Sequence, residues 1–157
     1  MGGKLPVKDR ALRLLSVRSR SRSELRGRLL RAGFEEAEVE AALDDLQRVG
    51  LLDDAAFARD LATRHVHGRG AGSRAATTAL RRFGVDPELA ERTVGEVAGD
   101  DEEARAEAVA RRRLSRMTGL DAATTYRRLV GFLQRRGYDG HTAREVCRRI
   151  VDGAATT

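Results

Sequence analysis

Two adjacent carboxylates, Asp53 and Asp54, are the first residues in this sequence whose types and spacing could support chemistry. Paired carboxylates can hold a metal ion or exchange protons. They also occur at helix starts, where an acidic side chain caps free backbone amides and interacts favourably with the helix dipole. With Asp53 as the N-cap, Leu52 and Phe57 take the positions of a hydrophobic staple. Because no further ligands can be named nearby, we predict a helix start rather than a metal or catalytic site.

The run HGRGAGSRAATTALRRFG, residues 67–84, has the glycine content of a phosphate-binding loop. A P-loop also needs a lysine in the pattern GxxxxGK[ST] and an apolar strand before it, and this run has neither. Its first three glycines predict a flexible turn between two helices. That turn exposes Arg69 and Arg74 near a helix start, which can attract anions. We predict a binding element here rather than a site of nucleotide hydrolysis.

The histidines and the single cysteine do not suggest a site. His65, His67 and His141 lack the i,i+4 spacing of a helical ligand pair, and Cys147 has no second cysteine to pair with. No serine has the surroundings of a nucleophile. We therefore predict that the protein is not an enzyme, with no catalytic residues, no metal and no cofactor.

The charge balance predicts an anionic partner. The 157 residues include 30 Lys+Arg against 24 Asp+Glu, and only Lys4 and Lys8 are lysines. Arginine presents a permanently charged fork that fits phosphates and carboxylates, so the partner is a nucleic acid or an acidic protein surface. Aromatic residues make up 4% of the chain, which argues against stacking platforms for single strands. With no apolar run of about 18 residues and no signal-peptide pattern, we expect a cytoplasmic monomer without membrane contact.

Apolar residues recur at helical spacing throughout, and one pattern occurs three times. Gly33, Gly84 and Gly137 mark the copies, 51 and 53 residues apart. Small or apolar residues occupy the positions eight and four before each glycine, and six, nine, ten and thirteen after it. These residues are Leu25, Leu29, Val39, Ala42, Leu43 and Leu46, then Ala76, Leu80, Ala90, Thr93, Val94 and Val97, then Leu129, Leu133, Ala143, Val146, Cys147 and Ile150.

This pattern predicts an all-α tandem array of three three-helix repeats, elongated or curved. Each glycine ends one helix, a second helix follows it, and a third lies upstream. The upstream helices are predicted at 9–17, 54–66 and 101–117, and Asp86, Asp121 and Asp139 are predicted to cap later helices. The predicted divisions are a flexible N-terminus at 1–9, repeats at 10–53, 54–99 and 100–152, and a flexible C-terminus at 153–157. Units of this size bury little surface alone, so neighbours must stack.

The last third of the chain is strongly basic. Between residues 105 and 149 there are 12 arginines and four acidic residues. On the helix that contains Leu129, three arginines fall on the arc opposite the apolar residues, at 127, 128 and 135. Such a ridge either is solvated with local ion pairs or binds an anion, and charge alone leaves both interpretations open.

Two motifs resemble signatures of the RecX regulatory proteins, bacterial modulators of the RecA recombinase. The resemblance runs over residues 10–151. In GLLDDAAFARDLATR, the first signature is matched by Gly50, Asp53, Phe57, Ala58 and Arg64. In GxxSRxxxxxLRRFGV, the second is matched by Arg74, Leu80, Gly84 and Val85. Ala76 and Ala79 depart from the second signature, which usually has a branched apolar residue and an acidic residue there.

The resemblance implies a non-enzymatic stack of three-helix repeats that binds the RecA–DNA filament in its helical groove. Such a protein suppresses ATP hydrolysis and strand exchange or promotes filament disassembly, and weak, salt-dependent DNA binding can accompany that role. The predicted RecA- or DNA-binding residues are Arg64, Arg69, Arg74, Arg81, Arg82, Arg127, Arg128, Arg135 and Arg136. The alternative is a stand-alone DNA-binding protein of helix-turn-helix type, because two helices joined at a glycine also describe that motif.

Overall fold

A computed structural model describes residues 5–155 of the chain, and these residues contain nine α-helices, a short π-helical segment and no strand. The helices are α1 (Val7–Val17), α2 (Arg22–Arg31), α3 (Glu36–Arg48), α4 (Asp54–Thr63), α5 (Ser73–Arg82), α6 (Pro87–Ala98), α7 (Glu102–Leu114), α8 (Ala122–Arg135) and α9 (Gly140–Ala155). The π-helical segment, Arg64–Gly68, continues directly from α4. The all-α prediction is confirmed.

The helices pack in threes around three separate cores. Leu25 and Leu43 lie in the core of α1–α3, Phe57 in that of α4–α6, and Leu129 and Tyr138 in that of α7–α9. The accessible surface of the chain is 9605 Å², whereas a compact protein of 17.2 kDa would expose about 7,800 Å². The excess agrees with the predicted tandem array of three-helix repeats.

The threefold sequence pattern marks these cores correctly. Every patterned position is buried except Val97, which is partly buried. The marker glycines Gly33, Gly84 and Gly137 have φ of 84°, 73° and 95° and end α2, α5 and α8. After each glycine, the next amide donates to the carbonyl five residues earlier at 3.1 to 3.3 Å, which is the Schellman motif.

The paired acids begin a helix, as predicted. The Asp53 side chain accepts a hydrogen bond from the Ala56 amide at 3.0 Å and caps α4. The predicted staple is wrong, because Leu52 packs in the first core and Phe57 in the second. These two apolar residues therefore serve different repeats. The predicted caps at Asp86, Asp121 and Asp139 are present, each accepting backbone amides of the helix that follows.

Neighbouring repeats meet end to end through their second helices. Where α5 begins, the amides of Gly72 and Arg74 donate to the carbonyls of Arg136 and Gly137 at the end of α8, at 2.9 and 3.1 Å. We call this contact the second seam. Gly72 is buried there, and a Cβ on it would overlap the Gly137 carbonyl. The predicted flexible turn is thus anchored at its end because Gly72 permits a close approach between two backbones.

The first seam has the same arrangement, where the start of α2 meets the end of α5. The Ser21 hydroxyl donates to the Phe83 carbonyl. An acidic residue at the start of the next repeat strengthens both seams. Asp54 accepts the Arg22 amide and Glu102 accepts the Ser73 amide, each at 2.7 Å. Asp54 therefore joins two repeats, in addition to lying in the first turn of its own helix.

Several helix bounds differ from the predicted ones. Helix α1 begins at Val7, because Val7 packs against the first core, and α9 continues to Ala155, so part of each predicted flexible terminus is helical. Residues 1–4 and 156–157 lie outside the described residues. The predicted helix 54–66 is α4 followed by the π-helical segment, and α7 ends at Leu114, three residues earlier than predicted.

Substitution of Gly84 tests the first seam. The Gly84→Ala change forces alanine into a positive φ and also places its Cβ against the Ser23 side chain. Gly50 has a similar φ of 78° with nothing within 4 Å of its Cβ position, so Gly50→Ala isolates the conformational effect of about 1–2 kcal/mol. We expect Gly84→Ala to lower the free energy of unfolding in urea by about 3 kcal/mol or more. Equal losses in the two variants would show that the seam adds no stability.

Candidate anion-binding surface

A cleft of about 590 Å³ lies between the second and third repeats. It is bordered by the π-helical segment with the loop after it, by one face of α7, and by the end of α8. Six arginines line it, and the described lining residues include no aspartate or glutamate. The arginines are Arg69, Arg105, Arg112, Arg113, Arg116 and Arg136. We call this feature the arginine cleft.

Helix α7 contributes three of these arginines, and a fourth lies just past its end. Its lining positions are 105, 108, 109, 112 and 113, with 116 just past its end, which is the spacing of a single helix face. Ala106 and Ala110 lie in the third core and fix the rotation of α7 about its axis. Burial of the small residues thus turns a row of guanidinium groups toward the cleft.

The opposite wall is held in place by the second seam. The Arg136 side chain donates to the carbonyl of Arg69, and the Tyr138 hydroxyl donates to the carbonyl of Gly70 at 2.8 Å. Burial is the main cause that raises the pKa of Tyr138, so its hydroxyl stays protonated and remains a donor. The loop is therefore anchored from α8 at both carbonyls.

The guanidinium groups converge inside the cleft. Nη2 atoms of Arg112 and Arg136 lie 3.9 and 3.5 Å from the point that a Cβ on Gly70 would occupy. Guanidinium groups of Arg113 and Arg136 lie 5.2 and 6.0 Å from the Phe132 ring centroid, which is within cation–π range. Like charges held this close favour an anion between them.

Several nitrogen atoms here have no acceptor among the described residues. Arg105 donates through Nη1 to the Ala98 carbonyl at 2.7 Å, but its Nε and Nη2 are buried without a partner, as is Nε of Arg136. A buried donor without an acceptor costs about 1–3 kcal/mol. These nitrogens are buried beneath the cleft surface, whereas the guanidinium groups of Arg112, Arg113 and Arg116 are exposed and available to an anion.

Arg22 and Arg26, in the first repeat, behave differently. Arg22 bonds Glu40 and Asp44, each at 2.8 Å, and Arg26 bonds Glu40 and Glu36. These hydrogen bonds, chiefly that from Arg26, hold the pKa of Glu40 below its usual range. Local ion pairing therefore explains the basic residues on that face, and it does not explain the arginine cleft.

The structure separates the predicted binding residues into three groups. Arg69 and Arg136 come together in the cleft. Arg81 pairs with Glu91, so its charge is partly compensated. The others are exposed on the π-helical segment, α5 and α8, and they are Arg64, Arg74, Arg82, Arg127, Arg128 and Arg135.

Four cleft arginines were missed by the sequence reasoning, namely those at 105, 112, 113 and 116. Their helical spacing is visible in the sequence. What the sequence does not show is that the loop after residue 68 packs opposite that face. The cleft forms because this loop packs opposite the row of arginines on α7, and the α7 sequence alone does not predict it.

Among residues 5–155, no group of three or more His, Cys, Asp or Glu residues could hold a metal ion. His67 bonds the Val97 carbonyl at 2.9 Å, and burial raises the pKa of the Cys147 thiol to about 11. None of the described helices is long and apolar enough to span a bilayer.

The architecture places the protein among tandem arrays of three-helix repeats, and comparison with known proteins identifies which array it is. Residues 8–46 match the family model described as RecX, first three-helix domain, and residues 100–147 match RecX, third three-helix domain. The chain belongs to the RecX family.

Individual relatives agree with that assignment. Regulatory protein RecX of Amycolatopsis mediterranei is 44% identical over 133 residues, covering 84% of this chain and 75% of the relative. Regulatory protein RecX of Mycobacterium avium is 42% identical over 137 residues, covering 86% of this chain and 79% of the relative. The crystal structure of RecX from Lactobacillus salivarius has a TM-score of 0.83 and 17% identity, covering 91% of this chain and 93% of that one, so it supports the fold.

Replacing Arg105 tests whether the cleft serves binding or folding. We expect Arg105→Met to change the free energy of unfolding by less than about 1 kcal/mol, because two of its buried nitrogens have no acceptor to lose. Arg20 is the matched control, since it is buried but bonded to the Leu14 carbonyl and Glu24. Arg20→Met should cost about 3 kcal/mol in urea unfolding. A similar loss in Arg105→Met would assign Arg105 to the fold.

Proposed function

We propose that this protein is a cytoplasmic regulator that binds the RecA–DNA filament and inhibits ATP hydrolysis and strand exchange by RecA. Membership of the RecX family is the observation that carries the proposal. The structure supplies a compatible form, because three repeats joined at two seams present a long surface to an extended partner. A filament offers such a partner, with protein and nucleic acid repeated along its length.

The distribution of arginines supports contact over several repeats. Arg82 and Arg135 occupy the same position in α5 and α8, two residues before the marker glycine, and both are exposed. Arg74 and Arg127 form a second equivalent pair, ten residues before it, and are also exposed. Contacts on linked repeats reinforce one another, because the first contact raises the local concentration of the next.

The helix-turn-helix alternative is disfavoured in the first two repeats by acids at the starts of α3 and α6, whereas the start of α9 has an acid only at its cap, Asp139. A recognition helix contacts bases through its N-terminal residues. Helix α3 has Glu36 and Glu38 in its first turn, and α6 has Asp86 at its cap and Glu88 just inside. These carboxylates would repel phosphates and most base edges, so neither helix suits insertion into a groove.

The simplest test of the proposal is to titrate this protein into an assay of ATP hydrolysis by RecA on single-stranded DNA. We expect DNA-dependent ATP hydrolysis to fall at protein concentrations equal to or below that of RecA. Joint-molecule formation in a strand-exchange assay should fall over the same range. Unchanged ATP hydrolysis, together with tight binding to one DNA sequence, would favour the stand-alone DNA-binding protein instead.

Charge reversal at Arg82 tests the predicted surface. We expect Arg82→Glu to weaken filament binding about tenfold, which corresponds to about 1.4 kcal/mol, with little change in helix content by circular dichroism. The double change at Arg81 and Arg82 should weaken it further, although Arg81 also loses its pair with Glu91. Arg10→Glu is the control, because Arg10 is exposed on α1. Equal weakening by Arg10→Glu would contradict a local contact at Arg82.

A further inference from the structure

We infer that the arginine cleft binds a linear chain of phosphate groups, such as the backbone of a single nucleic-acid strand or a free polyphosphate. The inference deepens the proposed function, on which its biological role rests, by assigning a ligand class to residues mostly outside the predicted binding set. The physical claim itself concerns the isolated protein and does not require RecA.

The length of the arginine row favours a chain over a single anion. Arg105 and Arg112 are seven residues apart on α7, which is about 10 Å along the axis, and Arg116 lies about one turn further. One strand of B-DNA presents a phosphate about every 3.4 Å of axis. The row therefore faces several phosphates, whereas a lone phosphate would leave most of these guanidinium groups unused.

The chemistry of the cleft favours the phosphates over the bases. Phe132 is the only Phe, Tyr or Trp among the described lining residues, and the guanidinium groups of Arg113 and Arg136 already lie over its ring. The ring orients two arginines and is not free for a base to stack upon. Arginine forks can bond phosphate oxygens in pairs. Binding of a nucleic-acid strand should therefore be independent of its nucleotide sequence.

The cleft is also prepared for its ligand before binding. Arg136 and Tyr138 anchor the loop carbonyls, and Ala106 and Ala110 fix α7 in the third core. Little conformational entropy remains to be lost on binding, which raises affinity at a given number of contacts. The exposed guanidinium groups of Arg112, Arg113 and Arg116 are the donors that gain acceptors.

Fluorescence anisotropy with a labelled twelve-nucleotide oligo-dT, in the absence of RecA, tests the inference. We expect Arg112→Gln combined with Arg116→Gln to weaken binding at least about tenfold. The slope of the logarithm of the binding constant against the logarithm of the salt concentration should fall in magnitude by about 1.4, the value expected for the loss of two phosphate contacts on a single strand. The control is Arg10→Gln with Arg13→Gln, which removes the same charge from exposed positions on α1. The control should change binding less than about twofold.

Competitors distinguish the possible sources of phosphate. Displacement of the oligonucleotide by tripolyphosphate at similar phosphate concentration would identify a site open to free polyphosphate, and resistance to it would identify a site for a nucleic-acid strand. Either result supports a phosphate chain. Equal displacement by a hexaglutamate peptide would overturn the inference, because the cleft would then recognise negative charge alone. Equal weakening by the α1 control would overturn it as well.

Folding and function are separated by two further measurements. Unfolding midpoints of all variants should agree, and the charge-preserving pair Arg112→Lys and Arg116→Lys should bind with intermediate affinity because the paired hydrogen bonds are lost. Full affinity in the lysine variant would show that the fork geometry is irrelevant. A protein that binds oligo-dT through the cleft without inhibiting RecA would refute the proposed function alone. Inhibition without cleft binding would refute this inference alone.

Discussion

The first turn of a helix leaves its backbone amides without partners inside that helix, and the repeats of this protein depend on how α5 satisfies them. Its N-cap, Gly72, has no side chain with which to accept them. The amides of Gly72, Ser73 and Arg74 instead donate to the end of α8 and to Glu102 of the next repeat. The backbone carbonyls at the end of α8 also lack partners within their own helix. The start of α5 and the end of α8 therefore satisfy each other's hydrogen bonds. The second and third repeats are consequently joined into one structural unit rather than being independent units.

The arginine cleft is a product of the same seam. Its loop lies where the seam holds it, and Arg136 contributes a backbone carbonyl to the seam and a guanidinium group to the cleft. Arg22 and Arg26 of the first repeat are paired with nearby acids, whereas the described lining of the cleft contains no acid. Positive charge is thereby kept available at the junction of two repeats. A site at a junction is sensitive to the angle between repeats, which links the architecture to binding.

Much of the fold follows from the sequence, because burial and helix termination are local. The spacing around Gly33, Gly84 and Gly137 marks the three cores, and acidic caps mark the helix starts. The seams are not predictable in this way. The Asp54 side chain accepts a hydrogen bond from the amide of Arg22, 32 residues earlier, and no periodic pattern in the sequence predicts such a contact. The cleft was missed for the same reason, since part of its wall comes from a loop whose position is set by residues at the end of α8. Long-range contacts of single atoms leave no repeating signal.

Native-state hydrogen exchange at the start of α5 tests the central claim most directly. First-turn amides normally exchange with little protection, because they have no helical partner. If the seam joins the repeats, the amides of Gly72, Ser73 and Arg74 will be protected to an extent comparable with Leu80 in the core of the same repeat. Exchange of all three at the rates of an unstructured peptide would contradict the account. The repeats would then move independently, and the cleft would have no fixed wall.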